Sequence, residues 1–354
     1  MVIWYHIFEG FATSPIDQKF NHGYLAVDFF FILSGFVIGY AYDDRWDKMT
    51  NMEFVKRRLI RLHPMILIGA VFGLITFLVQ GSVKWDGTHV EFSHALLAFV
   101  MTLFLIPSML KSMGEVRGNG EIFPLDGPLW SLFFEYIANI FYFIFLRKFT
   151  NKMLGTFVVM MGVFLASFSI FNYSGYGHLG VEWTFADNNF FGGLLRVLFS
   201  YSAGLYISRK LPSHKIKGVF WICGIILIAL FSVPYIGDGT IPWQNGIFDA
   251  AIVILVFPVL VYLGSSSYPL NNKMKRLMKT LGDISYPLYV VHYPFMYLFY
   301  TWLWKHEYTF VQTWQWALLL FFGNILLAYV VLKIYEEPVR KYLTRRFLMK
   351  SAAK

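Results

Sequence analysis

The chain has 354 residues, of which 57% are hydrophobic, 20% aromatic and only 14% charged, and its mean hydropathy is +0.54. These values exclude a soluble domain and describe a polytopic membrane protein. The net charge of +9 does not point to nucleic acid, because the basic residues lie in short clusters between apolar runs, the pattern of cytoplasmic membrane loops.

The opening MVIWYHIFEG has neither a basic n-region nor a small-residue cleavage site, so it does not read as a signal peptide. It is also too short to span a bilayer. Either it lies at an interface, or the start is set inside the first helix. Apolar segments of spanning length follow at about 23–42, 62–80, 128–146, 153–171, 190–208, 217–237, 246–264, 284–304 and 313–334. A shorter one runs from His94 to Leu110. No repeat, low-complexity stretch or room for a soluble domain interrupts them, so residues 1–354 read as a single integral membrane domain. The fold class expected is all-α: a transmembrane helical bundle of about ten spans, the first one shortened. The only cysteine, Cys223, lies in an apolar run and is assigned to packing, with no intrachain disulfide and no thiolate metal site.

Charge orients these segments. The intervals Arg45–Arg61, Arg147–Lys152, Arg209–Lys217, Lys273–Lys279 and Lys333–Lys354 are rich in Lys and Arg, whereas 172–189 and 236–245 contain none. Placing the first group inside and the second outside makes every crossing after Lys152 alternate and leaves the C-terminus cytoplasmic. Three apolar segments lie between Arg61 and Arg147, however, and an odd number of crossings cannot return the chain to the same side. The weakest, 94–110, is therefore expected to be interfacial or re-entrant, which makes 82–127 a lid over a site.

In this orientation His6, Asp28 and Glu135 fall in the outer half of the membrane. Asp28 lies five residues, roughly 7–8 Å, below the outer end of its helix, and Glu135 about 10 Å below Pro128. A histidine near carboxylates suits proton abstraction at neutral pH; the alternative is an interfacial histidine and two polar packing groups. Arg58 and Arg61, three apart with Arg57 beside them, share a helix face at the cytosolic side. They suit either a bidentate phosphate clamp or a topology signal that contacts anionic lipid. Trp130, Ser131 and Glu135 follow Pro128, with Ser131 and Glu135 on one face. Ser131 has no neighbouring His or Asp, which argues against a serine nucleophile. Arg196 either pairs with a carboxylate or binds an anionic substrate, and His292 lies near mid-depth in SYPLYVVHYP. His89, Glu91 and His94 lack the HExxH arrangement, so no metal site is expected, and there is no P-loop, GxSxG or dinucleotide-binding GxGxxG.

The strings WYHIFEG, GYLAVDFFFILSGFVIGY, FVKRRLIRLHP, GPLWSLFFE, DISYPLYVVHYP and YEEPVRKYL occur in this order along nearly the whole chain. Together they resemble the acyltransferase-3 family of integral membrane O-acyltransferases. The resemblance implies transfer of an acyl group, usually acetyl, from cytosolic acyl-CoA to a hydroxyl of a cell-envelope carbohydrate or glycolipid in the bacterial inner membrane. It places the family's essential histidine at His6, its RxxR motif for acyl-CoA at Arg58 and Arg61, and its Trp, Ser and Glu at Trp130, Ser131 and Glu135. Members carry a basic residue about ten positions before the histidine; this chain begins too late to contain one, and a truncated start is expected.

The resulting expectation makes His6 the base, Glu135 or Asp28 its partner, and Arg57, Arg58 and Arg61 the donor site. Trp130, Ser131, Arg196 and His292 are assigned to the acceptor. Acyl-CoA is a co-substrate, no cofactor stays bound, and membrane lipid is the only other partner expected. A transporter or flippase of an envelope glycan or lipid is the competing reading, but the paired interrupted helices of two repeat halves are not visible. Nothing in the sequence sets an oligomeric state.

Overall fold

The computed structural model describes residues 1–349 except Val181 and Ser213. Residues 350–354, the end of the last basic interval, lie outside the described residues. Among the described residues the regular structure is helical apart from a two-residue parallel pair, β1 (Ile216–Lys217) with β2 (Ser267–Tyr268), and two isolated β-bridges. Among the described residues, seven helical segments are long and apolar enough to cross a membrane, and the chain is an integral membrane protein.

The chain forms two compact units. The first comprises Met1–Lys48, Phe134–Glu182 and Ala186–Arg276; the second, Met49–Phe133, Trp183–Phe185 and Leu277–Lys354.

The first unit is built on α2 (Ala26–Tyr42) and α7 (Asn189–Lys210). Gly35 and Gly39 form a small-xxx-small ridge on α2, which allows close helix approach. A Cβ at Gly35 would lie 1.9 Å from the Tyr201 carbonyl oxygen, and one at Gly204 1.8 Å from that of Ile32. Only hydrogen fits at either crossing point. At the ends of these helices Arg209 Nε and Nη2 donate to the two Asp43 oxygens (2.5 and 3.1 Å), and the Tyr142 hydroxyl donates to Asp43 at 2.8 Å. α1 (Val2–Glu9), the later part of α5 (Leu129–Ile144), α6 (Asn151–Ile170), α8 (Val219–Phe231), α9 (Trp243–Ala251) and α10 (Phe257–Ser265) complete the unit. Its core joins Leu25, Ile32, Leu165, Phe199, Val253 and Phe257.

In the second unit α3 (Asn51–Val79) is the central helix. A capping box starts it: the Thr50 side chain accepts from the Glu53 amide while Glu53 accepts from the Thr50 amide. Packed on α3 are α4 (Phe92–Leu103), α12 (Tyr293–His306) and α14 (Glu337–Thr344). The end of α11 (Asn272–Val291) and α13 (Phe310–Val331) complete this unit.

Several segments depart from their expected extents. α4 has 12 residues, about 18 Å of helix, too short to span. The apolar run 217–237 is helical only as α8, 13 residues long, because Pro234 disfavours helical backbone at Val233. Segment 284–304 is broken: α11 starts twelve residues earlier than expected, carries the basic cluster Lys273–Lys279 on the helix itself, and ends at Val291. Pro294, which has no amide hydrogen to give, restarts the chain as α12. Wide π-type turns at Ile252–Val256 and Leu332–Glu336 precede Pro258 and Pro338, where they relieve the proline's clash with the preceding turn and let each span continue.

Candidate active site

His6 lies in the last turn of α1, which ends at Glu9. Three residues apart on one helix face, His6 Nδ1 and Glu9 Oε2 are 2.8 Å apart. The His6 side chain is 16% exposed and that of Glu9 38%. A carboxylate at Nδ1 holds the proton there and leaves the lone pair on Nε2, the arrangement a general base requires. Glu9 was not among the residues singled out from sequence, although the spacing in HIFE was a usable signal.

The structure assigns Asp28 and Arg196 to each other. Both are fully buried. Arg196 Nε lies 3.0 and 3.1 Å from the two Asp28 oxygens, and Nη2 donates to Asp28 Oδ2 at 2.5 Å. Nη1 donates to the Leu179 carbonyl at 2.6 Å and to Glu182, and Nη2 to the Tyr24 carbonyl at 2.9 Å. All five N–H groups of the guanidinium are thus directed at protein oxygens. Of the two readings of Arg196, the pairing with a carboxylate is the one present, and its donors are not open to a substrate. Asp28, expected beside His6, instead holds α2 to α7.

Glu135 on α5 accepts from Ser34 Oγ at 2.7 Å. A further buried polar cluster was missed from sequence. His22 is fully buried, with Nδ1 2.8 Å from the Val233 carbonyl and Nε2 3.0 Å from Asn245 Oδ1. The Tyr24 hydroxyl donates to Asp249, 2.9 and 3.0 Å from its two oxygens, and the Leu179 amide donates to Asp249 at 3.0 Å. Asp249 stands inside an expected span, and the rule that picked out Asp28 would have found it. Between α6 and α7, burial pushes the Glu182 carboxyl up to about 7 against the pull of Arg196. Burial, helped by Arg196, lowers the His178 imidazole to about 4. The tyrosines Tyr5 and Tyr24 tie this network to α1, with the Tyr24 ring 6.2 Å from Tyr5 and the Tyr5 ring 4.8 Å from His6.

The remaining candidates belong to the second unit. Arg57 is exposed, whereas Arg58 and Arg61 are half-buried on α3. Arg61 Nη1 donates to Glu336 Oε1 at 3.0 Å, Arg340 Nη1 reaches the same oxygen at 3.1 Å, and the Arg61 guanidinium lies 5.4 Å from the Tyr286 ring centre. Glu336, within YEEPVRKYL, is thus shared by two arginines, Arg61 and Arg340. Trp130 and Ser131 are buried in the first turn of α5. Ser131 Oγ is 3.0 Å from the Pro128 carbonyl, to which it donates, and 2.7 Å from the Tyr289 hydroxyl. His292 marks the break between α11 and α12. Its Nδ1 donates toward the carbonyls of Leu288 (3.0 Å) and Tyr289 (2.8 Å), so its lone pair is also on Nε2.

The 82–127 segment encloses charge. Arg117 is fully buried, stacked 3.7 Å from the Tyr297 ring centre, and its Nε donates to the Pro124 carbonyl at 2.8 Å. Asp126 is also fully buried, and neither carboxylate oxygen has a hydrogen-bond partner. Burial, and secondarily the charge of Glu121, raises its carboxyl well above the ordinary range.

Comparison with known proteins gives a family match over residues 1–333, to a model described as an acyltransferase domain. Protein 2 in picA locus from Rhizobium radiobacter is 31% identical over 147 residues, 40% of this chain and 73% of that protein. The exopolysaccharide production protein ExoZ of Rhizobium meliloti is 25% identical over 298 residues, 79% of each. The peptidoglycan O-acetyltransferase OatA of Listeria monocytogenes is 24% identical, over 96% of this chain but 54% of its own length. No solved structure matches the chain.

Proposed function

From a chain that belongs to the acyltransferase-3 family of membrane acyltransferases, we propose an O-acyltransferase that moves an acyl group, with acetyl the expected case, from cytosolic acyl-CoA to a hydroxyl of a cell-envelope saccharide or glycolipid. The observation that carries this reading is the His6–Glu9 pair at 2.8 Å. The names of two relatives, an exopolysaccharide production protein and a peptidoglycan O-acetyltransferase, support a saccharide acceptor. The chain would lie in the bacterial inner membrane with its C-terminus cytoplasmic, in keeping with the distribution of Lys and Arg.

The acceptor hydroxyl is a weak nucleophile, and the thioester is an activated donor. His6 Nε2 takes the hydroxyl proton as the oxygen attacks the thioester carbonyl, and Glu9 stabilises the imidazolium formed. The C–S bond then breaks, and the proton passes from the imidazolium to the thiolate, so no net proton is consumed. Arg57, Arg58 and Arg61 bind the donor's phosphates, for which forked guanidinium groups are suited. Trp130, Ser131, Glu135 and His292 are assigned to the acceptor, whereas Arg196 and Asp28 hold α2 to α7.

The test is acyl transfer by the membrane-embedded full-length protein, supplied with acetyl-CoA and de-O-acetylated envelope polysaccharide. His6→Ala is expected to lower the rate by about 10²–10⁴-fold without altering the unfolding temperature. Undiminished transfer by that variant removes His6 as the base. Saccharide carried across vesicles without any acyl donor would favour the transporter reading.

A further inference from the structure

Within the second unit, α3, α14 and the later part of α11 meet at Arg61. α14 and the turn after it, Arg345–Met349, pack on α3. From α11 the Tyr286 hydroxyl donates to the Leu62 carbonyl at 2.6 Å, and the Tyr286 ring centre lies 5.4 Å from the Arg61 guanidinium. Glu336, just before α14, is 2% exposed, and one of its oxygens, Oε1, receives both Arg61 Nη1 at 3.0 Å and Arg340 Nη1 at 3.1 Å. The two guanidinium groups are therefore neighbours across a single carboxylate oxygen. In the sequence Arg340 is one of several cations in a basic interval; the shared oxygen sets it apart.

One carboxylate does not neutralise two arginines. The other acidic side chains on these helices are engaged elsewhere: Glu53 in the cap of α3, Asp283 by Lys279, and Glu337 by Lys333 at 2.5 Å. A positive charge is left over at the junction, and a bound anion relieves the repulsion between the two cations. Arg61 and Arg340 are 40% and 39% exposed, so an anion reaches both from outside without opening the helix packing. Each directs one terminal nitrogen at Glu336, and Nε and Nη2 of each fork remain for a ligand. A phosphate group suits the pair, because its oxygens accept from two forked donors at once. We propose that Arg340 binds a phosphate of the acyl-CoA donor together with Arg61. This rests on the reading of the chain as an acyl-CoA-dependent acyltransferase.

The experiment titrates CoA, which carries the phosphates but no acyl group, into the full-length protein in phosphatidylcholine nanodiscs, with binding read by calorimetry. The wild type should bind it. Arg340→Met should weaken that binding on the order of tenfold or more at low salt, the loss of one hydrogen bond to a charged group, and the gap should narrow as salt screens the pair. A merely structural tie between α3 and α14 predicts instead a less stable Arg340→Met protein with undiminished CoA affinity, and that result would overturn the site. So would a wild type that binds no CoA. Should the methionine variant not fold, Arg340→Lys, which keeps the charge that answers Glu336 and loses the fork, is titrated against the same two outcomes. Phosphatidylglycerol nanodiscs separate the donor from a lipid headgroup as the source of the phosphate. Stabilisation by that lipid that depends on Arg340, with CoA affinity unchanged in Arg340→Met, assigns Arg340 to lipid and refutes the proposal. Acetyl transfer from acetyl-CoA to de-O-acetylated envelope polysaccharide separates this site from the reading it rests on. CoA binding that depends on Arg340 without any transfer by wild type keeps the site and refutes the acyltransferase; transfer with an unchanged donor KM in Arg340→Met does the reverse.

Discussion

Replacing Arg196 with methionine removes the one cation from a fully buried group that contains Asp28 and Glu182. Breaking a buried ion pair by deleting one partner costs about 3–5 kcal/mol, because the other charge stays behind without compensation. Burial also makes this place unfavourable for the Glu182 carboxylate. Even with Arg196 present, its pKa stands at about 7 against an ordinary 4.5, which corresponds to about 3 kcal/mol against the charged form. Without Arg196 its pKa rises further. Since the folded value lies above the unfolded one, the folded state binds the extra proton, so the linked stability is present below about pH 4.5 and lost as pH rises through the folded pKa. The Arg196→Met variant should therefore unfold at a lower temperature than wild type at about pH 8, with the deficit shrinking toward about pH 5. Thermal unfolding in nanodiscs across that range measures both quantities. Normal stability combined with a raised acceptor KM would refute the reasoning and return Arg196 to the substrate.

Arg61→Ala should raise the KM for acyl-CoA while leaving that for the acceptor unchanged; donor titration at several salt concentrations checks it, and an unaltered donor KM removes Arg61 from the phosphate site. Asp126→Asn should flatten the pH dependence of stability. The wild-type carboxyl is held above its ordinary value by burial, so its contribution is present below the ordinary carboxylate range and lost as pH rises through the folded pKa; parallel melting curves against pH for the two proteins would contradict this. Gly204→Ala places a methyl group 1.8 Å from the Ile32 carbonyl oxygen. It should cost on the order of 1–3 kcal/mol or more as α2 and α7 separate, read as a lower unfolding temperature.

The sequence by itself determined that the chain spans a membrane as helices, because hydrocarbon forbids unpaired backbone and apolar runs of about twenty residues leave few alternatives. It also carried the family, through six motifs spread along the chain, and it marked His6, Arg61 and His292 as unusual for their surroundings. Whether a long apolar run is helical throughout was not legible in the same way. The run 217–237 ends its helix at Phe231 and 284–304 breaks at His292, because local backbone chemistry at Pro234 and Pro294 outweighs average hydropathy.

Only the tertiary structure decided which charge answers which. Asp28 and Arg196 are 168 residues apart and meet through the glycine-lined crossing of α2 and α7. Arg61 and Glu336, 275 residues apart, meet where α3 packs on α14, just after Glu336. Hydropathy reports how costly a buried ionisable group is, but the partner that offsets the cost is chosen by packing between distant segments. The exception is Glu9, which reaches His6 within a single helical turn, where spacing of three residues is enough to bring two side chains together.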